Sequence, residues 1–298
     1  MRLLFTVWGL RLADASVAFA SQSVRSTSTC VSPGGEPQPS TSNQKPQTIH
    51  CKPNHMTIHQ FPDHATLSQY TAEHIAAIIN QKPDATLCLA SGDTPIETYH
   101  RFVELVKAGR VDVSQCTFVG LDEWVGFGPD DFGSCSYYVF RDLFVPLALR
   151  PDQVHVFNAK AADLTAECTR IDELILSKGG LDVLLVGMGM NGHIALNEPG
   201  TSFTLGCHVS ELAESTKTVG QKYFDKETTL TQGITLGLRH LTEAREVILL
   251  VSGAKKAGIL RDALQGPVSE QIPASIMQTH PNAQIWVDEA AGSLLAGV

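Results

Sequence analysis

From Met56 onward, short apolar runs alternate with amphipathic stretches. The run at 181–186 (Leu-Asp-Val-Leu-Leu-Val) is the plainest of them. A run this brief cannot make a full helix, and one with almost no polar face belongs in a strand buried on both sides. Similar runs fall at 85–90, 116–121, 154–157, 233–238, 246–251 and 285–288. Between them, 67–80 has helical spacing through Leu67, Tyr70, His74, Ile75, Ile78 and Ile79. Residues 95–107 read as a helix opened by Pro95, 161–177 as one closed by Gly179-Gly180, and 254–264 as another. Strands alternating with helices specify an α/β fold: a doubly wound, mostly parallel, Rossmann-like sheet flanked by helices. Ligands of such sheets bind beyond the carboxyl ends of the strands.

Residues 1–55 differ. Between Ser21 and Gln47 the chain is rich in Ser, Thr, Pro, Gln and Gly, too polar to offset its ordering entropy by burial. We expect a disordered tail over 1–55 and a single domain over 56–298. The tail is read first as an extension ahead of a true start at Met56. An address peptide built on Arg2, Leu3–Trp8 and Arg25 is the rival reading. The chain has 298 residues and a net charge of −9, which disfavours nucleic acid and anionic membranes as partners. No apolar run approaches the ~20 residues that span a bilayer. Seven widely spaced cysteines without a C-x-x-C indicate free thiols in a reducing compartment, so the cytoplasm is expected.

Four segments at strand ends carry chemistry. Ser91-Gly92-Asp93-Thr94-Pro95 turns a strand into a helix, whose N-terminal N–H groups suit a phosphate. The bland alternative is a turn capped by Thr94. Leu121-Asp122-Glu123-Trp124 offers a carboxylate as general base, or else two solvated loop acids. The third segment runs Gly187-Met188-Gly189-Met190-Asn191-Gly192-His193 and on through Asn197-Glu198-Pro199-Gly200. Its glycines let a ligand approach the backbone, and it sets His193 near Glu198. It is not a dinucleotide fingerprint, because no acid sits on a following strand at the expected distance. The fourth, Ser252-Gly253-Ala254-Lys255-Lys256, places lysines in a first helical turn, where the macrodipole disfavours them. An anionic ligand would account for one of them. Lys255 reads as solvated.

Together these motifs resemble the glucosamine-6-phosphate deaminase (isomerase) family, within the wider group that includes 6-phosphogluconolactonase. The resemblance runs from Thr57 to about Glu289. Asn197-Glu198-Pro199 points to deaminases rather than lactonases. Trp124, Val111-Asp112-Val113-Ser114-Gln115 and Ile272-Pro273-Ala274-Ser275 look most like the galactosamine-6-phosphate branch. The resemblance implies catalytic roles for four residues. Asp122 would move a proton between C2 and C1, His193 would open the sugar ring, and Glu198 would orient and tune it. Asn191 stands where some members have a third carboxylate, and it would orient without adding charge. The implied phosphate site is Ser91, Gly92, Thr94 and Lys256, with Lys222 near a family arginine. Asp93 departs from the usual small residue and would repel phosphate unless turned away. The resemblance implies no metal, no cofactor and, since longer regulated members continue past this terminus, no allosteric site. The partner is a small-molecule amino sugar phosphate, and a homo-oligomer is left open. Two other readings stand beside it: a lactonase, and a sugar-phosphate sensor without turnover.

Overall fold

The computed structural model describes residues 47–50 and 56–296, all within one compact unit spanning Lys45–Val298. The strands are β1 Gln47–His50, β2 Thr57–Phe61, β3 Thr86–Leu89, β4 Thr117–Val119, β5 Asp122–Trp124, β6 Val154–His155, β7 Val183–Val186, β8 His208–Glu211, β9 Gln232–Thr235, β10 Glu246–Val251 and β11 Ala283–Asp288. The helices are α1 His64–Gln81, α2 Ile96–Lys107, α3 Cys135–Val139, α4 Leu164–Ser177, α5 Glu214–Gly220, α6 Leu238–Glu243, α7 Ala257–Gln265 and α8 Glu289–Gly292.

Eight strands form the main sheet in the order β1-β2-β11-β10-β7-β3-β4-β6, parallel throughout except for β1 against β2. From β3 the chain moves outward through β4 to β6. It then returns to β7, beside β3, and moves outward the other way through β10 to β11. The strand order therefore reverses between β3 and β7, where such sheets hold their ligands. The edge strand β1 lies inside the stretch set aside as a tail, so the expected boundary at residue 55 is too late. The rest of that stretch, 1–46 and 51–55, lies outside the described residues.

The apolar run of β7 shows why these strands must be central. Val183 and Leu185 join Leu87, Phe118, Ile248 and Leu250 in a core covered by α1 and α2. Leu184 and Val186 point the opposite way, into a second core with Val119, Leu249, Val251 and the α4 residues Ile171 and Ile175. Period-two alternation thus divides one run between two cores. Cutting Leu185 back to alanine should destabilise the fold by ~2–5 kcal/mol. The check is a lower urea midpoint with an unchanged slope.

Side-chain oxygens of Asp63 and Asp163 cap α1 and α4, at 2.7 and 2.9 Å from the Thr66 and Ala166 N–H groups. Gly179 and Gly180 end α4 with φ of 81° and 96°, as the glycine pair predicts. One expected member of the main sheet lies elsewhere. The run at 233–238 contributes β9, which pairs antiparallel with β5 and β8 in a separate three-stranded sheet. Asp172 of α4 ties that sheet down. It accepts from the Cys207 backbone N–H at 3.0 Å and lies 2.5 Å from His240 Nε2 of α6. No helix among the described residues is long and apolar enough to cross a membrane.

Candidate active site

A cavity of about 350 Å³ opens over the carboxyl ends of β3 and β7. Six chain segments supply its polar walls: the 91–94 loop, Asp122, Cys135, the 187–193 loop, Lys222 and Lys256. Every candidate catalytic or phosphate residue lines it except Glu198, which is buried behind His193.

β5 sorts the adjacent acids by its pleat, and both departures from the solvated reading follow. Asp122 faces the cavity. Glu123 is buried on the other side and accepts N–H groups of Trp124, Cys135 and Ser136, each at 2.9 Å. It pins the start of α3 against the strand. Burial pushes the Asp122 carboxyl up to about 7, and the neighbouring Glu123 charge adds to this, against a hydrogen bond from the Cys135 thiol. A carboxyl group with a pKa near the working pH can both take and return a proton.

The glycine-rich loop is folded around His193. The Gly189 N–H donates to the His193 carbonyl at 2.9 Å, and Gly192 turns with φ of 82°. Behind the imidazole, Nδ1 lies 3.3 Å from Thr216 Oγ1 and 3.6 Å from Glu198 Oε2. Asn191 donates to Glu198 Oε2 at 2.9 Å and accepts from the His193 N–H at 3.2 Å. It therefore fixes both partners, which an amide does without adding charge. Burial alone would raise the Glu198 pKa. Hydrogen bonds from His193, Thr216 and Asn191, with the histidine charge, instead bring it down to about 2. Glu198 is thus an ionised partner for the imidazole.

A Cβ on Gly189 would fall on the His193 ring, whereas one on Gly187 meets nothing within 4 Å. Gly189→Ala should therefore displace the imidazole and lower kcat by roughly 10²-fold, as ångström-scale misplacement does. Gly187→Ala should leave thermal stability unchanged. Equal melting temperatures and equal rates for both variants would contradict this placement.

The phosphate candidates converge at the other end of the cavity. α2 begins at Ile96 after Pro95, and no side chain caps its N-terminus, so the alternative of a turn capped by Thr94 is not what forms. Its leading N–H groups remain available to an anion. Below the loop, the buried Tyr99 hydroxyl donates to the Ala90 carbonyl and anchors the strand end. Lys256 reaches the cavity while Lys255 is exposed, as expected. Burial lowers the Lys256 pKa, and the nearby Lys222 cation lowers it further. Asp288 at the end of β11 accepts from Ser252 Oγ at 2.5 Å and from the Gly253 N–H at 3.0 Å. That contact shapes the turn (Gly253 φ 91°) from which Lys256 projects. Asp93 lines the cavity too, and pairs there with Lys222 Nζ at 2.6 Å. Sequence patterning gave no sign of Cys135, Thr216 or Tyr223, which share the cavity but come from short elements without periodicity.

Comparison with known proteins bears on the family and the fold. A family model described as glucosamine-6-phosphate isomerases/6-phosphogluconolactonase matches residues 64–286. The chain is 43% identical over 217 residues to an Escherichia coli (strain K12) protein that carries the name deaminase AgaI, covering 71% of this chain and 83% of that one. It is 38% identical over 225 residues to a glucosamine-6-phosphate deaminase of Geobacillus sp. (strain WCH70), covering 75% and 90%. Among solved structures, a glucosamine-6-phosphate deaminase described as monomeric superposes with a TM-score of 0.77 at 36% identity, over 80% of this chain and 99% of that one. A 6-phosphogluconolactonase from Trypanosoma brucei shares the fold, with a TM-score of 0.62 at 22% identity over 82% of this chain and 99% of the other.

Proposed function

The chain belongs to the family of glucosamine-6-phosphate isomerases and 6-phosphogluconolactonases, and within it we propose that the protein is an amino-sugar-6-phosphate deaminase/isomerase. The observation that carries this reading is the meeting, in one cavity, of a carboxyl group with a pKa of about 7, a carboxylate-backed histidine, and two lysines beside an uncapped helix N-terminus. Such a site matches a substrate with a dianionic end and a reacting end that must exchange protons twice.

The phosphate is held by the α2 N-terminus and the 91–94 loop, with Lys256 and Lys222. This remote contact supplies binding energy that orients the sugar. His193 returns a proton to the ring oxygen as the hydroxyl on C1 loses one, giving the open-chain aldose. Asp122 takes the proton from C2 and delivers it to C1. With that transfer the C1 carbonyl oxygen gains a proton and the C2 amine loses one, so the aldehyde becomes an alcohol and the amine an imine, which water hydrolyses to a ketone and ammonia. Neither redox change nor group transfer is needed, only protons and one water. The unpaired cysteines among the described residues (Cys88, Cys116, Cys135, Cys168 and Cys207) support a reducing, cytoplasmic setting.

The test is ammonia release from purified glucosamine-6-phosphate and galactosamine-6-phosphate, alongside hydrolysis of 6-phosphogluconolactone. Turnover of either amino sugar with stoichiometric ketose phosphate supports the reading, and the ratio between them assigns the epimer. Lactone hydrolysis alone, or binding without turnover, refutes it.

A further inference from the structure

Away from the cavity, one group of side chains gathers three different donor chemistries. Asp172 stands on α4, Cys207 just ahead of β8 and His240 on α6, and none of them lines the active-site cavity. Asp172 Oδ1, Cys207 Sγ and His240 Nε2 all lie within 4.8 Å of one another. The His240 nitrogen is 3.6 Å from the sulfur and 2.5 Å from the carboxylate oxygen. His240 is 4% exposed, whereas the Asp172 side chain is 27% exposed, so the group is rooted in the fold and keeps a face to solvent. The chain makes room for it at Gly206, where a Cβ would fall 2.7 Å from Asp172 Oδ2.

We propose that Asp172, Cys207 and His240 form a binding site for one divalent ion of the zinc class, with water as the fourth ligand. Carboxylate oxygen, thiolate and imidazole are donors that zinc accepts, and three protein ligands leave one position open. Ordinary Zn–S and Zn–N bonds at a tetrahedral angle set sulfur and nitrogen about 3.6 Å apart, which is the separation found between Cys207 and His240. The same geometry sets a ligating oxygen about 3.4 Å from the nitrogen, so the 2.5 Å contact of Asp172 with His240 must open. The carboxylate's contacts to the Cys207 N–H at 3.0 Å and to Arg239 at 3.4 Å tolerate that shift. The ion replaces the thiol proton, which leaves to solvent, and the imidazole keeps its own proton on Nδ1. Two anionic ligands then balance the divalent charge. The two arginines nearby are already paired, Arg239 with Asp172 Oδ2 and Arg170 with Glu167. The ion joins α4 and α6 to the edge strand of the small sheet, and it takes no part in the proton transfers described above.

The test takes the full chain, stripped with a chelator, and reads it with cobalt(II) as a spectroscopic substitute for zinc. Cobalt bound to a thiolate in a four-coordinate site gives a sulfur-to-metal charge-transfer band in the near ultraviolet and intense visible d–d bands. One equivalent should bring up both in the wild type. Cys207→Ser should remove the charge-transfer band, with Cys207→Ala in its place should the serine variant fail to fold. Cys135→Ser, which alters the thiol in the cavity, should leave the band intact. Zinc, measured by competition with a chromophoric chelator, should bind Asp172→Asn, Cys207→Ser and His240→Asn about 100-fold more weakly than wild type. At a hundredfold excess over the wild-type Kd, zinc should raise the wild-type Tm by about 5–10 °C and that of Cys207→Ser by about 2 °C at most. A wild-type spectrum without the charge-transfer band overturns the proposal. So does a band that survives loss of the Cys207 thiol, or one zinc Kd shared by wild type and variants. No sugar phosphate enters the assay, so its outcome is independent of the deaminase reading.

Discussion

Asp122→Asn should fold normally, bind the sugar phosphate with nearly unchanged affinity, and turn over roughly 10²–10⁴-fold more slowly, the usual loss for a positioned general base. The amide fits the same space and can still donate or accept hydrogen bonds, but it cannot carry a proton from one carbon to the next. Stability gives an independent reading. The Asp122 pKa is raised to about 7 in the folded protein, mainly by burial and then by Glu123. A raised acid binds more protons folded than unfolded, so its contribution to stability falls as pH rises from the unfolded value of ~3.9 to the folded one. Above that window the wild type holds an ionised carboxylate in a costly place, and the amide does not. Asp122→Asn should therefore melt higher than wild type at pH 8 and close to it at pH 4. Full turnover in the variant would remove Asp122 from the chemistry. Glu123 could not replace it, because that carboxylate is buried among the N–H groups of Trp124, Cys135 and Ser136.

The main sheet was legible because its central strands are buried on both faces. Burial of that kind demands apolar runs such as those of β7 and β10, and such runs are visible without any knowledge of neighbours. The small sheet was not legible. β5 is Asp-Glu-Trp and β8 is His-Val-Ser-Glu, three or four residues with no apolar run to announce a strand. β9 did announce itself, but a run alone does not say which sheet it joins. The candidate site divides in the same way. Glycine, histidine and lysine stood out because they sit where local rules make them costly: a loop needing positive φ, or a cation at a helix start. Glu198 and Asn191 were near His193 in sequence. Thr216 reaches His193 from α5, 23 residues away, and only the folded chain joins them. The two acids show a third case, since their residues were found while their environments were not. Alternation along β5 sends one carboxylate to the cavity and buries its neighbour, a distinction invisible until the strand is known.

Lys256→Ala should raise KM for a 6-phosphate sugar by roughly 10- to 150-fold, the equivalent of the ~1.5–3 kcal/mol carried by a charge-assisted hydrogen bond. The lysine is held where an ammonium is disfavoured: burial and the Lys222 cation both lower its pKa. A bound dianion reverses that, drawing both cations toward the uncapped start of α2. Inorganic phosphate, used as a competitive inhibitor, should lose affinity in the same proportion, because the contact is to the phosphate and not to the sugar. Lys255→Ala should change neither quantity appreciably, since that side chain is exposed. Lys222→Ala should weaken binding less than Lys256→Ala, because Lys222 must first leave Asp93, 2.6 Å away. Asp93→Ala should in turn tighten phosphate by releasing that lysine and removing a repulsive charge from the loop. Equal losses for Lys255→Ala and Lys256→Ala would place the phosphate elsewhere. So would a kcat that falls with Lys256 while phosphate inhibition stays constant, because a residue that only binds the remote group cannot change chemistry without changing affinity.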